Sequence, residues 1–146
     1  MRLVIDTNVL VSALLNPHGA PARVLDLVLA GSIQVLWDDR LMAEYADVLA
    51  RPKFAFGSPD VRALLDYLRL CGNQVQAGPL RNLRVTAVAD AFDLPFAEVA
   101  VAGHADALVT GNPHHFRFLP ADGPQVLSPD ALLAMWSEAA DYTDRE

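Results

Sequence analysis

Arg2-Leu3-Val4-Ile5-Asp6-Thr7-Asn8-Val9-Leu10-Val11-Ser12-Ala13-Leu14-Leu15 is the stretch that decides the fold. Leu3-Val4-Ile5 is apolar without alternation, the pattern of a parallel strand buried on both faces. Thr7 and Asn8 are residue types that cap helices, and residues 9–15 read as a short buried helix. Between strand and helix stands Asp6. A carboxylate that close to a core costs free energy unless it is paired, capped or bound to a cation, so Asp6 is read first as a functional residue.

Outward from there the pattern repeats. Asn16-Pro17-His18-Gly19 breaks the first helix. From Pro21, Val24, Leu25, Val28 and Leu29 recur at helical spacing until Gly31 closes a second helix. Residues 34–37 read as a strand, and Asp38 or Asp39 caps a helix carrying Leu41, Tyr45, Val48 and Leu49 that Pro52 stops. Ser58-Pro59-Asp60 opens another, with Val61, Leu64, Leu65 and Leu68 on its apolar face. Residues 74–76 and 85–88 alternate like strand pieces. A short helix over 96–103, a strand over 107–110, a last strand at Val126-Leu127 and a final helix from Ser128 through Trp136 complete the chain. The acidic stretch 138–146 is expected to fray. Strands alternating with helices predict a three-layer α/β/α fold around a mainly parallel sheet. Ligands of such sheets bind beyond the carboxyl ends of the strands, so strand-ending residues are the first candidates for a site.

A length of 146 residues predicts one domain. With 53% hydrophobic and 20% charged residues, the chain is too apolar for disorder and able to bury a core. No apolar run reaches the roughly 18 residues of a bilayer span, and no basic leader with a cleavage site opens the chain. The single Cys71 forms neither an internal disulfide nor a cysteine metal site, which fits a reducing compartment. The expectation is a cytoplasmic protein with no membrane partner. Eleven basic against eighteen acidic residues give a net charge of −7, which argues against general coating of nucleic acid but not against a local site. Only Lys53 is a lysine, so phosphate contacts fall mainly to arginine. Arg51, Lys53, Arg81, Arg84 and Arg117 make a phosphate rim only if folding clusters them, and a scattered solvated set is the plainer reading.

Asp6 ends the first strand, Asp38 and Asp39 follow the second, and Glu44 lies about a turn and a half into the next helix. Asp90 and Asp93 precede the helix over 96–103, and Asn112 follows the strand over 107–110. Carboxylates converging at one sheet edge repel one another unless a hard cation neutralises them. A few carboxylates with open positions suit Mg²⁺ or Mn²⁺, which activate water and stabilise charge at a phosphoryl oxygen. Ordinary readings compete. Asp39 and Asp130 stand where helix caps stand, Asp93 is as well placed to cap as to ligate, and Glu44 alone reads as solvated or paired with Arg40. His104, His114 and His115 lack the helical i,i+4 spacing of a zinc pair, and no cysteine joins them. His115 alone lies near enough to Asn112 to line a site. Glycine-rich phosphate loops and nucleophile elbows are absent.

Val4-Ile5-Asp6-Thr7-Asn8-Val9-Leu10-Val11-Ser12-Ala13-Leu14-Leu15 resembles the opening of a PIN-domain protein. Asp93-Leu94-Pro95-Phe96-Ala97-Glu98-Val99-Ala100, with Ala105-Asp106-Ala107-Leu108-Val109-Thr110-Gly111-Asn112, resembles that family's second signature. The similarity covers residues 1–137 in the expected order, leaving 138–146 as a tail, and is greatest to the toxin components of toxin–antitoxin systems. It implies a PIN fold and a metal-dependent endoribonuclease site. Asp6 matches the first acidic position, Glu44 the mid-chain glutamate and Asp93 the third, with Glu98 of the same motif as a substitute. The fourth acidic position falls on Asn112 or His115, neither acidic, which leaves a site of lower charge. Thr7, Asn8 and Thr110 match polar positions that support the site.

The resulting expectation is hydrolysis of RNA phosphodiesters. Asp6 and Asp93, with Glu98, hold Mg²⁺ or Mn²⁺; Glu44 orients or helps deprotonate the attacking water, and Asn112 ligates or positions the ion. A second reading is a catalytically weak or inactive PIN-like module that works through a protein partner, an antitoxin whose Arg or Lys side chains complement the acidic groove. A phosphatase of the haloacid-dehalogenase type fits poorly, since it needs a second Asp where Asn8 stands and a lysine that Lys53 is badly placed to supply. A homodimer is expected, because apolar helices over 21–30 and 61–70 exceed what one small sheet needs for cover, and the family resemblance points the same way.

Overall fold

A computed structural model describes residues 1–80 and 91–144 of the chain. The strand expected over 85–88, together with Arg81, Arg84 and Asp90, lies outside the described residues. The elements run β1 (Arg2–Ile5), α1 (Thr7–Leu15), α2 (Ala20–Leu29), β2 (Gln34–Trp37), α3 (Asp39–Leu49), α4 (Ser58–Cys71), β3 (Asn73–Gln74), α5 (Leu94–Ala102), β4 (Ala107–Val109), β5 (Gln125–Leu127) and α6 (Pro129–Asp144). Short 3₁₀ turns cover Pro52–Phe54 and Pro113–Phe116.

The five strands form one sheet in the order β3-β2-β1-β4-β5, and every pairing is parallel. Consecutive residues of a strand face opposite sides of a sheet. Leu3, Val4 and Ile5 of β1 are 0%, 0% and 1% exposed, so both faces of the central strand are covered. The helices that flank the sheet supply that cover, among them α5, packed against β1, β2 and β4. The three-layer expectation therefore holds.

The order also locates a crevice. From β1 the chain builds outward through β2 to β3, then returns to add β4 and β5 on the other side. The winding reverses between β1 and β4, the point at which open α/β sheets part at their carboxyl ends. Asp6 follows β1 and Thr110 follows β4 at this point, tied by a main-chain bond from the Asp6 N–H to the Val109 carbonyl at 2.9 Å.

Local capping differs from the expectation at α1 and α6, and at α3 the structure selects one of the two expected candidates. Helix α1 begins at Thr7, with Asp6 in the cap position but making no side-chain cap bond. Thr7 and Asn8, expected to cap it, donate or accept elsewhere because each has a tertiary partner, as described below. Asp38 rather than Asp39 caps α3, accepting from the Leu41 N–H at 3.0 Å. Ser128 rather than Asp130 caps α6, accepting from the Ala131 N–H at 3.1 Å. Helix α5 starts at Leu94 rather than 96, since Pro95 is accommodated in a first turn that needs no N–H from it. Helix α6 continues past Trp136 to Asp144. Among the described residues no helix is long and apolar enough to cross a membrane.

Candidate active site

A cleft of about 630 Å³ opens beside the winding reversal, and Asp6, Glu44 and Asp93 all line it. Each arrives by a different route. Asp6 is carried to the carboxyl edge by β1 and is 8% exposed. Glu44 comes from α3, whose opposite face buries Leu41, Met42, Tyr45 and Leu49. Asp93 stands at the cap position of α5, where its main-chain carbonyl accepts from the Ala97 N–H at 3.3 Å while its side chain makes no cap bond. The competing cap reading of Asp93 thus applies to its backbone and not to its carboxylate.

Hydroxyl groups orient two of the three carboxylates. Thr110 Oγ1 donates to Asp6 Oδ2 at 2.8 Å and accepts from the Asn112 N–H at 3.0 Å. Thr7 Oγ1 donates to Glu44 Oε2 at 2.7 Å. The Gly111 N–H donates to Asn8 Oδ1 at 3.4 Å, joining the start of α1 to the loop after β4. Under the cleft, the buried Tyr45 hydroxyl donates to the Ile5 carbonyl, clamping α3 to the residue before Asp6. Burial, with the charges of Asp6, Glu44 and Asp38 around it, holds the Tyr45 phenol well above its usual range, so it remains a neutral donor.

The electrostatics identify which groups face one another. Burial pushes the Asp6 carboxyl above the usual carboxylate range, and the Asp93 charge adds to that shift. The Thr110 hydroxyl, the Thr7 main-chain amide and His115 pull the other way. His115 Nδ1 lies 3.4 Å from Asp93 Oδ2. Asp6, Asp93 and His115 thus form one electrostatic neighbourhood.

Three placements correct the sequence reading. Glu44 is held by Thr7 rather than by Arg40. Arg40 instead bridges Asp38 and Glu98, with 2.8 Å contacts to each. Glu98, expected among the metal ligands, is buried with its Oε1 on this guanidinium and does not line the cleft. Asn112 likewise meets the site through its main-chain N–H to Thr110, and it is not a lining residue. The Arg40 bridge was the feature sequence reading missed. Its signal was Glu98 within Phe96-Ala97-Glu98-Val99-Ala100, where a glutamate amid apolar residues needs a counter-charge. Of the cations considered for a rim, Arg51 lines the cleft and Lys53 sits beside it on the Pro52–Phe54 turn.

Among the described residues no three His, Cys, Asp or Glu side chains gather into one metal-holding group. Asp6 and Asp93 act on each other electrostatically, and Glu44 lines the same cleft. That donor set still fits Mg²⁺, which keeps several waters and is commonly held by one or two carboxylates with substrate phosphate completing its shell. The mutual repulsion of Asp6 and Asp93 in a buried setting is what such a cation relieves.

The PIN domain family model matches residues 2–114. An uncharacterized protein of Methanocaldococcus jannaschii is 38% identical over 53 residues, 36% of this chain, and the match spans only 34% of that relative's length. Among solved structures, a chain of VapBC2 from Rickettsia felis, determined bound to a DNA fragment from its promoter, superposes with a TM-score of 0.60. That superposition covers 88% of this chain and 98% of the other at 21% identity, a likeness of fold.

Proposed function

Because this chain belongs to the PIN domain family, we propose that it is a metal-dependent endoribonuclease and the toxin component of a toxin–antitoxin pair, with an antitoxin protein as its partner. PIN domains are typically metal-dependent nucleases. The observation that carries the proposal is the pairing of Asp6 and Asp93 in one cleft, at the winding reversal of a parallel sheet. The fold likeness to a VapBC2 chain supports the choice of partner.

Asp6 and Asp93 would hold the Mg²⁺ or Mn²⁺ ion, which supplies an activated water and charge for the phosphoryl oxygens. Thr110 fixes Asp6 in orientation, and its acceptance from the Asn112 N–H makes Asn112 a positioning residue for that hydroxyl. His115 stands beside Asp93, its Nδ1 3.4 Å from Asp93 Oδ2. Glu44 lines the same cleft, is oriented by Thr7 and takes the proton of the attacking water. Asn8 ties the loop after β4 to α1 and so keeps the two halves of the site together. Wild-type protein should cleave labelled RNA with Mg²⁺ or Mn²⁺ and stop in chelator, and Asp6→Asn should lose about a hundredfold or more in rate. Cleavage that persists in chelator, or that Asp6→Asn leaves intact, would overturn the proposal.

One observation favours a second reading, a module that binds a partner without turnover: among the described residues no three His, Cys, Asp or Glu side chains gather into one metal-holding group. Calorimetry separates the two. Mn²⁺ binding abolished by Asp6→Asn supports the nuclease, whereas tight antitoxin binding with no Mn²⁺ affinity supports the binding module. A homodimer belongs to the same proposal, and sedimentation at twice the 15.8 kDa chain mass is the result expected.

A further inference from the structure

We infer that the rim of this cleft is a stacking platform for an unpaired RNA base, with Phe92 as the principal contact and Phe54 as its companion. The inference rests on the ribonuclease reading and names the form of RNA the site admits. Phe92 directly precedes Asp93, lines the cleft and is 75% exposed. Phe54 lines the same cleft, and its ring stacks on Phe56 with centroids 5.5 Å apart and 13° between planes. Phe56 therefore backs Phe54 and fixes it. Lys53 Nζ lies 5.0 Å from the Phe54 ring, and Arg51, the residue before the Pro52–Phe54 turn, reaches the cleft half exposed, with its Nη2 3.4 Å from Asp47 Oδ2.

Aromatic rings interleaved with cations along a groove are how single strands are held: bases stack on the rings and phosphates follow the cations. Arg51 and Lys53 supply positive charge at this rim for the phosphates of a bound strand, and the two rings supply faces for its bases. A duplex keeps its base faces stacked inside itself, so only an unpaired nucleotide presents a face to Phe92. With Phe92 adjacent in sequence to Asp93, that base lies next to the phosphate undergoing hydrolysis. The platform thus selects loops and unpaired segments, and it does so without reading base edges.

The test uses the full chain and an eight-nucleotide single-stranded RNA carrying 2-aminopurine at each position in turn, titrated in chelator so that no turnover occurs. One position should lose fluorescence on binding as its base stacks. Phe92→Ala should weaken that complex about tenfold and abolish the quench, and Phe92→Trp should restore both. An RNA abasic at that position should bind wild type and Phe92→Ala equally, because the partner of the ring is already gone. Equal affinity of wild type and Phe92→Ala for the intact RNA overturns the inference, as does an equal loss on the abasic RNA. Metal-dependent cleavage by the wild type is scored separately. A cleaving enzyme indifferent to Phe92→Ala refutes the platform alone, and an intact platform without cleavage refutes the ribonuclease.

Discussion

Asp6 is more easily charged in the unfolded chain than in the folded one. Its folded carboxyl titrates above the usual carboxylate range, through burial and then through Asp93. A raised folded value contributes stability below the unfolded value and loses it as pH rises through the folded one. Metal-free wild type should therefore melt below Asp6→Asn at neutral pH, with the gap closing in acid, in thermal scans with chelator. Mn²⁺ at a hundred times its Kd should raise wild-type stability by about 2.7 kcal/mol and leave Asp6→Asn unmoved. A gap independent of pH would remove the Asp6 charge from the account. Glu98 makes the contrasting case. Glu98→Gln should cost about 1–2 kcal/mol in denaturant titrations, since Glu98 is buried while Arg40 is half exposed and can resolvate. It should leave Mn²⁺ affinity unchanged, and a loss of that affinity would return Glu98 to the ligand set. Asp6 was legible in the sequence because its burial followed from its neighbours. Glu98 was misread because its counter-ion lies 58 positions away.

At the scale of elements, the site depends on how strands and helices meet. Residues 34–37 read as a strand, and the structure places β2 on those same residues. Its continuous apolar run needed no knowledge of the sheet. Helix starts were less legible, since Thr7 has a partner on α3 and Asn8 one beyond β4. The corner between α4 and β3 shows a similar dependence. A Cβ on Gly72 would stand 2.5 Å from the Leu68 carbonyl oxygen and 2.6 Å from that of Val35. Backbone atoms yield less readily than side-chain tips, so Gly72→Ala should destabilise the fold by about 1–3 kcal/mol in urea titration. Metal-dependent cleavage by the folded fraction should be unaltered. An alanine tolerated without loss would mean that α4 and β2 can part at that corner.

For the whole molecule, charge limits how the proposed RNA substrate would be held. A net charge of −7 gives little long-range attraction, so binding relies on a few cations at the cleft, Arg51 and Lys53 foremost. With about two phosphates neutralised, the logarithm of the RNA association constant should fall with the logarithm of salt at a slope near −1.5. A slope steeper than about −4 in fluorescence titrations would place the RNA on a larger basic surface. The alternation of apolar strands and amphipathic helices settled the α/β class by itself, because burial on two faces is a local property of residue order. The carboxylate after β1 was marked as costly on the same ground. Only the tertiary structure decided that Asp93 rather than Glu98 shares the neighbourhood of Asp6, that Thr7 and Thr110 aim the carboxylates, and that Phe92 and Phe54 border them. Those outcomes depend on which strands lie side by side and where their winding reverses, and no short stretch of chain encodes the distance between groups a hundred residues apart.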